Sequence, residues 1–334
     1  MKKILFLLTI ALLITFCLST PDVQAKNKKI AQTGFQFLSV TSDARAAAMA
    51  GAVTSAEMSS SSLFFNPACM ANMTHFLDIS ISNNKWIADI NHNAFSLALC
   101  PQSGRYGVIG VSVQSVDYGE VMGTRVDISE QKGYVDTGNL SPSALAIGVG
   151  YAKALSDRFS VGGQVKWVRQ DLDQSVVPVT DTTTTSQNYD LSPIAFDFGT
   201  LFKTGFKSLA FAMSVRNFSK EIKYEQEGFQ LPLVFTMGIS MNLMDFFEYN
   251  SFEQSLFLTI DATHFRSHPE QLLIGLDYKV MNFLSVRGGF AANNDEDGIT
   301  FGIGISQFGL VLDYAYTPFG VFDQVQRLTA RFSL

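Results

Sequence analysis

The stretch LVFTMGISMNL, residues 233–243, places Leu233, Phe235, Met237, Ile239, Met241 and Leu243 at odd positions, with Thr236, Gly238, Ser240 and Asn242 among the even ones. A period of two is that of a β-strand, whose successive side chains point to opposite faces. The same alternation recurs in LAIGVGY (145–151), where Leu145, Ile147, Val149 and Tyr151 oppose Ala146, Gly148 and Gly150. It returns in ITFGIGIS (299–306), where Ile299, Phe301, Ile303 and Ile305 oppose Thr300, Gly302, Gly304 and Ser306. Each segment predicts a strand with one oily face and one small or polar face.

Charged residues obey the same parity. Asp197, Arg216, Asp261, Asp277, Lys279, Arg287, Asp313 and Arg331 all fall on the non-oily face of their strands. Two architectures produce such a pattern. A soluble β-sandwich turns the polar face to water and the oily face to its core. A transmembrane barrel inverts this, with oil toward lipid and small or ionic side chains around the interior.

Three features favour the barrel. About fourteen segments have the ~10-residue length of a tilted membrane strand: roughly 75–82, 92–100, 105–116, 143–154, 158–170, 191–203, 208–217, 231–243, 253–263, 270–280, 283–291, 298–306, 308–316 and 326–334. An even number closes an antiparallel barrel and leaves no unpaired backbone in hydrocarbon. The connections alternate between tight turns (SDR, GFK, MN, QFG) and longer polar stretches at 117–142, 171–190, 218–230 and 317–325, with 244–252 and 264–269 as exceptions. The low-complexity TDTTTTSQN (180–188) reads as an outward loop or a plain linker. Finally, RLTARFSL closes the chain with Leu328, Ala330, Phe332 and Leu334 on one face, an amphipathic end that resembles the insertion signal of outer-membrane barrels.

The chain opens on MKKILFLLTIALLITFCLST, in which Lys2 and Lys3 precede an apolar run, and Ala25 ends a small-residue cleavage pattern. The run is shorter than the ~20 residues of a helical span. This predicts a signal peptide at 1–25 and an exported protein, and Phe16 before Cys17 argues against lipidation. Losing Lys2, Lys3 and Asp22 moves the net charge one unit below the −6 of the full chain, a balance unlike that of a nucleic-acid-binding face. Only Cys69 and Cys100 then remain; export permits a disulfide, but two cysteines make no framework and read as buried or isolated thiols.

Between the leader and the first strand lies a stretch of different character, containing DARAAAMAGAVTSAEMSSSS and then LFFNPACMANM. As a free periplasmic tail it would leave Phe35, Phe37, Leu63, Phe64, Phe65, Met70 and Met73 unburied, which favours a plug folded into the barrel. Asn66, Pro67 and Ala68 would turn that plug toward the first strand. Phe64 and Phe65 would lodge against the wall, and Arg45 would join the lumenal charges. Those charges either form a conduction path or cross-link wall to wall and wall to plug; four acids matched by four bases favour cross-linking. The expected organisation is therefore 1–25 signal peptide, 26–73 plug and 74–334 barrel.

Catalytic and cofactor readings find little support. His75, His92, His264 and His268 are the four histidines, and the i, i+4 spacing of the last two falls in a strand-to-loop region where it does not align metal ligands. No G-x-S-x-G elbow, Walker loop or H-E-x-x-H occurs, and the glycines of GITFGIG interrupt a strand instead of opening a helix. The expectation is no enzyme, no cofactor, no metal and no nucleic acid.

The segment TSDARAAAMAGAVTSAEMSSSSLFFNPACMANM (41–73) resembles the N-terminal region of the PorV/PorQ family. So do KWIADI (85–90), VDYGE (116–120), FDFG (196–199), LDYAYTPFG (312–320) and the final RLTARFSL. That family resembles the FadL-type outer-membrane proteins, fourteen-stranded barrels with an N-terminal hatch whose Asn-Pro-Ala turn matches Asn66, Pro67 and Ala68. The resemblance implies a component of type IX secretion that handles or tethers secreted proteins. Alternatively it implies passage of long-chain fatty acids or other hydrophobic compounds, with the hatch as gate. The expected partners are outer-membrane lipid with secretion-system proteins, secreted cargo or hydrophobic small molecules, and TPFGVF (317–322) reads as an exposed apolar loop that docks a protein or admits a lipid from outside. Two departures stand out: Ser42-Asp43 replaces a glycine common before Ala44-Arg45, and Cys69 replaces the glycine after Asn-Pro-Ala. Both restrict the backbone.

Overall fold

The computed structural model describes residues 32–127, 130–179, 183–247, 253–293, 298–320 and 324–334. The leader expected at 1–25 lies outside these residues, as do residues 26–31 of the expected plug, residues 180–182 of the Thr-rich stretch and Val321 and Phe322 of the expected apolar loop. Within them the chain forms strands β1 (Leu77–Lys85), β2 (Asn91–Leu99), β3 (Val108–Asp117), β4 (Val121–Val126), β5 (Tyr134–Leu140), β6 (Ser143–Ala154) and β7 (Phe159–Pro178). There follow β8 (Thr184–Leu191), β9 (Ile194–Lys203), β10 (Ala210–Phe218), β11 (Ile222–Lys223), β12 (Gly228–Phe229) and β13 (Val234–Asn242). The last six are β14 (Ser255–Phe265), β15 (Gln271–Val280), β16 (Leu284–Ala292), β17 (Ile299–Gln307), β18 (Leu310–Thr317) and β19 (Val325–Ser333).

The main sheet runs β6-β3-β2-β1-β19-β18-β17-β16-β15-β14-β13-β10-β9-β7, and β6 pairs again with β7. The sheet therefore closes on itself as a fourteen-stranded antiparallel barrel, with β8 attached only to the far end of β7. Closure satisfies the backbone of every wall strand without an edge, the condition for a sheet in hydrocarbon. First and last strands seal the wall through an unbroken register from Asp78 opposite Ser333 to Lys85 opposite Gln326.

The inverted arrangement is visible along β13. Met237 and Ile239 are each 40% exposed on the outside, whereas Thr236 and Ser240, at 4% and 2%, are buried inside. Along β17 the same alternation holds, with Ile299, Phe301, Ile303 and Ile305 outward. No helix among the described residues is long and apolar enough to cross a membrane; the strands make the crossing.

Short turns face the periplasm and long loops the outside in barrels of this kind. The β3–β6 connection carries a hairpin, β4–β5, that stands beyond the wall. Residues 184–188 do not form the loop that their composition suggests: they pair with the continuation of β7 as β8, Thr184 opposite Pro178 and Asn188 opposite Gln174. Thr is a favoured strand residue, so low complexity here is compatible with a ribbon. The connection after β13 is long because it contains a 3₁₀ turn, Leu243–Phe246, whose start is capped by Asn242. The Asn242 Oδ1 accepts from the amides of Met244 and Leu256, each at 3.1 Å, tying the turn to the next strand.

Candidate functional site

Residues 32–73 run down the inside of the barrel. They start beside the outer loops, where Thr33 bridges Gln230, and end at Met73, whose carbonyl accepts from the Cys100 thiol in the first periplasmic turn. Near the outer end, Phe35, Phe37 and Leu38 bury against the inward faces of Val116, Ala144, Ala146, Val168 and Ala195. Near the inner end, Leu63, Met70 and Met73 pack with Ala98, Val108 and Ala152. The wall contributes small residues and the segment contributes large ones, which explains the Gly and Ala content of the inward strand faces.

A segment with so little regular structure leaves many backbone groups without internal partners, and buried ones must be satisfied. The wall's polar side chains meet this need. The amide of Ala44 donates to Thr329 Oγ1 at 2.8 Å, that of Thr54 to Asp261 Oδ2 at 2.9 Å and that of Ser60 to Asp78 Oδ1 at 2.9 Å. In the other direction, Thr300 Oγ1 donates to Ala48 O at 2.9 Å and Arg216 to Phe64 O at 2.6 Å.

Asp43 caps the short helix α1 (Ala44–Ala48): its carboxylate accepts from the Ala46 amide at 3.1 Å, with the backbone extended at φ −109°. An ordinary L residue adopts that conformation, so the departure from glycine costs nothing here and adds a cap. The four-serine run forms the 3₁₀ turn Ser59–Phe64, in which Ser60, Ser61 and Ser62 are buried. Ser60 Oγ donates to Asp78 Oδ1 at 2.5 Å and accepts from Ser96 Oγ at 2.9 Å.

Asn66 begins the next 3₁₀ turn, Pro67–Asn72. Its Oδ1 accepts from the Ala68 amide at 3.1 Å, while Nδ2 donates to Thr54 O at 2.8 Å and to Thr200 O at 3.1 Å. One side chain thus fixes the turn, an earlier part of the segment and the wall. Pro67 and Ala68 are buried, and β7 makes room for them at Gly162, where an added Cβ would lie 2.6 Å from Ala68 N. Cys69 and Cys100 are buried free thiols; burial pushes the Cys69 thiol up, and it donates to Thr54 O at 3.3 Å. Phe65 packs within the segment's own core, with Ala46, Met49, Val53, Ala56 and Met58, and on its other side meets the wall at Arg216, whose guanidinium lies 5.9 Å from its ring centroid. Phe64 is partly buried beside that core.

The lumenal charges divide into groups. Arg45 Nε lies 3.1 Å from Asp277 Oδ2, Asp277 Oδ1 lies 3.1 Å from Arg287 Nε, and Arg287 reaches Asp313 at 2.6 Å. Asp197 instead pairs with Lys166 at 2.8 Å and accepts from the Asn217 amide at 2.7 Å. Asp261 serves the Thr54 amide, and Arg331 stands 4.0 Å from Asp78. Lys279 is half-buried with no carboxylate within 4.0 Å among the described residues. The eight charges therefore do not neutralise one another as a set: part of their work is hydrogen bonding to the segment's backbone. Asp78, Lys166 and Arg327 belong to the same interior and follow the same parity, which is the signal that could have found them.

Arg216 keeps the inward parity of Ala210, Ala212 and Ser214, and a bulge follows it. Pairing of β10 with β9 runs to Val215 opposite Phe198 and resumes at Phe218 opposite Phe196, so one extra residue sits in β10. Asn217 takes φ +61°, and Arg216 and Asn217 both turn inward before Phe218 returns to the lipid face. Bulges re-aim side chains in this way.

Above the segment, between Phe37, Phe65, Trp86 and the outer loops, lies a cavity of about 500 Å³. Phe319 is buried at its edge, its ring 5.1 Å from that of Trp86, so the apolar loop expected to be exposed for docking turns inward at this residue. Tyr118 also lines the cavity, and burial pushes its phenol up to about 12. His264 Nδ1 lies 3.1 Å from Glu270, and His268 Nδ1 lies 2.7 Å from Ser267 Oγ.

Comparison with known proteins gives three findings. A family model described as type IX secretion system protein PorV matches residues 23–260. No curated protein matches the chain. Among solved structures, the toluene transporter TbuX of Ralstonia pickettii superposes with a TM-score of 0.58 at 12% identity, covering 87% of this chain and 98% of that one. The monoaromatic hydrocarbon channel CymD gives 0.59 at 10% identity over 88% and 98%. A FadL homologue of Pseudomonas aeruginosa gives 0.51 at 14% identity over 88% and 98%. These likenesses are of fold.

Proposed function

Because this chain belongs to the PorV family of type IX secretion system proteins, we propose that it handles or tethers secreted proteins at the surface of a Gram-negative outer membrane. It is an outer-membrane β-barrel associated with protein secretion. The observation that carries the reading is the family match, which spans the N-terminal segment and the wall from β1 into β14.

In this proposal residues 26–73 are a plug, held by Asp78, Asp261, Asp277, Thr300, Thr329 and Arg216 from strands all around the wall. A stopper so fixed keeps the barrel closed while its outer loops, including the β4–β5 hairpin, meet a protein partner. Its partners are then secretion-system components and cargo, its cofactors none, and the chain is no enzyme. Deleting residues 32–72 tests the plug: entry of large antibiotics supports it, and unchanged permeability with unchanged stability opposes it.

The second reading, passage of a hydrophobic small molecule as in the FadL-like alternative, is favoured by the cavity of about 500 Å³ above the segment. A pull-down from cross-linked outer membranes separates the two. Recovery of secretion components supports tethering; a monomeric barrel with bound hydrophobic compound and no secretion protein supports transport.

A further inference from the structure

The closed wall has no free edge, but the sheet as a whole has one. β8 is its terminal strand: it pairs with the continuation of β7, from Asp171 opposite Asp190 to Pro178 opposite Thr184, and no described strand pairs with its other side. In an antiparallel ladder alternate residues turn their N–H and C=O groups away from the partner, so that side of β8 presents a row of unpaired backbone donors and acceptors. The ribbon stands beyond the oily belt, which on β7 gives way after Trp167 to Arg169 and Asp171. Edges of this kind are ordinarily blunted by lysine, proline, a bulge or shortness. The other strands outside the wall follow that rule: β11 and β12 have two residues each, and the β4–β5 ladder is broken by a register shift at Gly123 and Thr124. β8 does not. Thr184–Leu191 contains neither lysine nor proline, its threonines favour extended backbone, and Thr184, Thr185, Ser186 and Asn188 are exposed. The β11–β12 connection meets β8 through side chains alone, with the Tyr224 ring 6.5 Å from that of Tyr189 and Gln187 donating to Glu225; no backbone hydrogen bond joins the two among the described residues.

Charge decides what pairs there. The connections 117–142, 171–190 and 218–230 hold twelve acids and four bases, a net −8 in a chain whose total is −6. The negative charge of the molecule is therefore concentrated on the loops around this ribbon. Arg169, at the foot of β8, is engaged by Asp171 and Asp190 at 3.1 and 3.7 Å. A second copy of this chain would bring the same acids against these, which disfavours self-pairing. A strand bearing lysine or arginine is drawn in by the same field and pairs through its main chain.

We propose that the free edge of β8 takes up an extended, net-basic polypeptide segment as an added β-strand at the cell surface. Main-chain hydrogen bonds supply the affinity and the acidic loops the selection. The inference rests on the secretion reading for the origin of that segment and deepens it by naming the chemistry of the partner. Recovery of secretion components without strand pairing removes this inference alone; strand pairing without such recovery removes the secretion reading alone.

The test uses the full chain in phosphatidylcholine nanodiscs and three fluorescent decapeptides. One alternates lysine with valine, one alternates glutamate with valine, and one alternates lysine with proline, which keeps the charge but does not pair as a strand. The lysine–valine peptide should bind about tenfold or more tighter than either control, less tightly as salt is raised, and should slow amide exchange within residues 184–190. Ser186→Lys together with Asn188→Lys sets like charge on the strand and should weaken that binding about tenfold. Equal binding of the lysine–proline peptide would show charge attraction alone, and equal binding of the glutamate peptide would show no charge selection. Exchange protection of 184–190 that grows with protein concentration in the absence of peptide would place a second copy on the edge. Each of these overturns the proposal, as does unchanged affinity in the folded double variant. Should that variant lose heat-modifiable migration, the three peptides and the exchange pattern in the unaltered chain decide alone.

Discussion

Arg45, in the short helix of the N-terminal segment, lies 3.1 Å from Asp277 on β15, and the same carboxylate is held from the wall by Arg287. The order of these contacts sets what mutation does. Arg45→Ala removes one of two cations from Asp277, so the loss should be modest, about 1–2 kcal/mol, seen as a lower temperature of heat-modifiable migration. Arg287→Ala leaves Asp277 on β15 and Asp313 on β18 buried without the cation that joins them and should cost about 3–5 kcal/mol. Equal effects of the two substitutions would refute this ordering.

Asn66→Ala removes three hydrogen bonds at once, to Ala68 N, Thr54 O and Thr200 O. A loss of about 2–3 kcal/mol is expected in urea unfolding, with earlier proteolysis of residues 32–73. Asn66→Asp keeps the cap acceptor but loses both donations and should fall between. A neutral Asn66→Ala would show that the turn is held by packing alone.

Gly162→Val tests how closely segment and wall approach. An added Cβ would lie 2.6 Å from Ala68 N and from the Pro67 carbonyl carbon, both backbone atoms with no freedom to rotate away. The segment should be displaced and become protease-sensitive while the barrel, judged by heat-modifiable migration, still closes. Unchanged protection would mean that the segment does not seat there.

Cys69 and Cys100 are buried separately, one against Thr54 and the other against Met73. Burial holds the Cys69 thiol in its protonated, unreactive form. Maleimide should label neither in the folded chain and both after denaturation, with no shift on reduction. Labelling of folded protein, or a reduction-dependent shift, contradicts this.

Much of the fold was legible in residues such as Leu145, Ile147, Val149 and Tyr151, because period-two alternation has a single structural meaning once strand length and count agree. Strand limits were misplaced mainly where a strand outruns the membrane: β7 continues to Pro178 above the wall, where no lipid imposes an oily face and the pattern dissolves. The interior was legible in part. The parity that marked Asp261 and Arg287 also marks Asp78 and Lys166, but the partners of Asp261 and Asp78 were hidden because they are backbone amides of the N-terminal segment, which every sequence carries. The packing of Phe65 against Met49, Val53 and Met58 was hidden for a related reason: a segment that folds on itself has no periodicity to announce which side is inside. Nor does any local pattern announce the bulge that adds Asn217 to the inward face beside Arg216.

The central claim is that the oily faces of these strands meet lipid while the small and ionic faces enclose the N-terminal segment. Spin labels placed singly on β13 at Phe235, Thr236, Met237, Ile239, Ser240 and Met241, in a Cys69→Ala, Cys100→Ala chain in bilayers, read this directly through collision with dissolved oxygen. Labels at 235, 237, 239 and 241 should show high oxygen accessibility and labels at 236 and 240 low accessibility. A flat profile, or one with the parity reversed, would contradict the account.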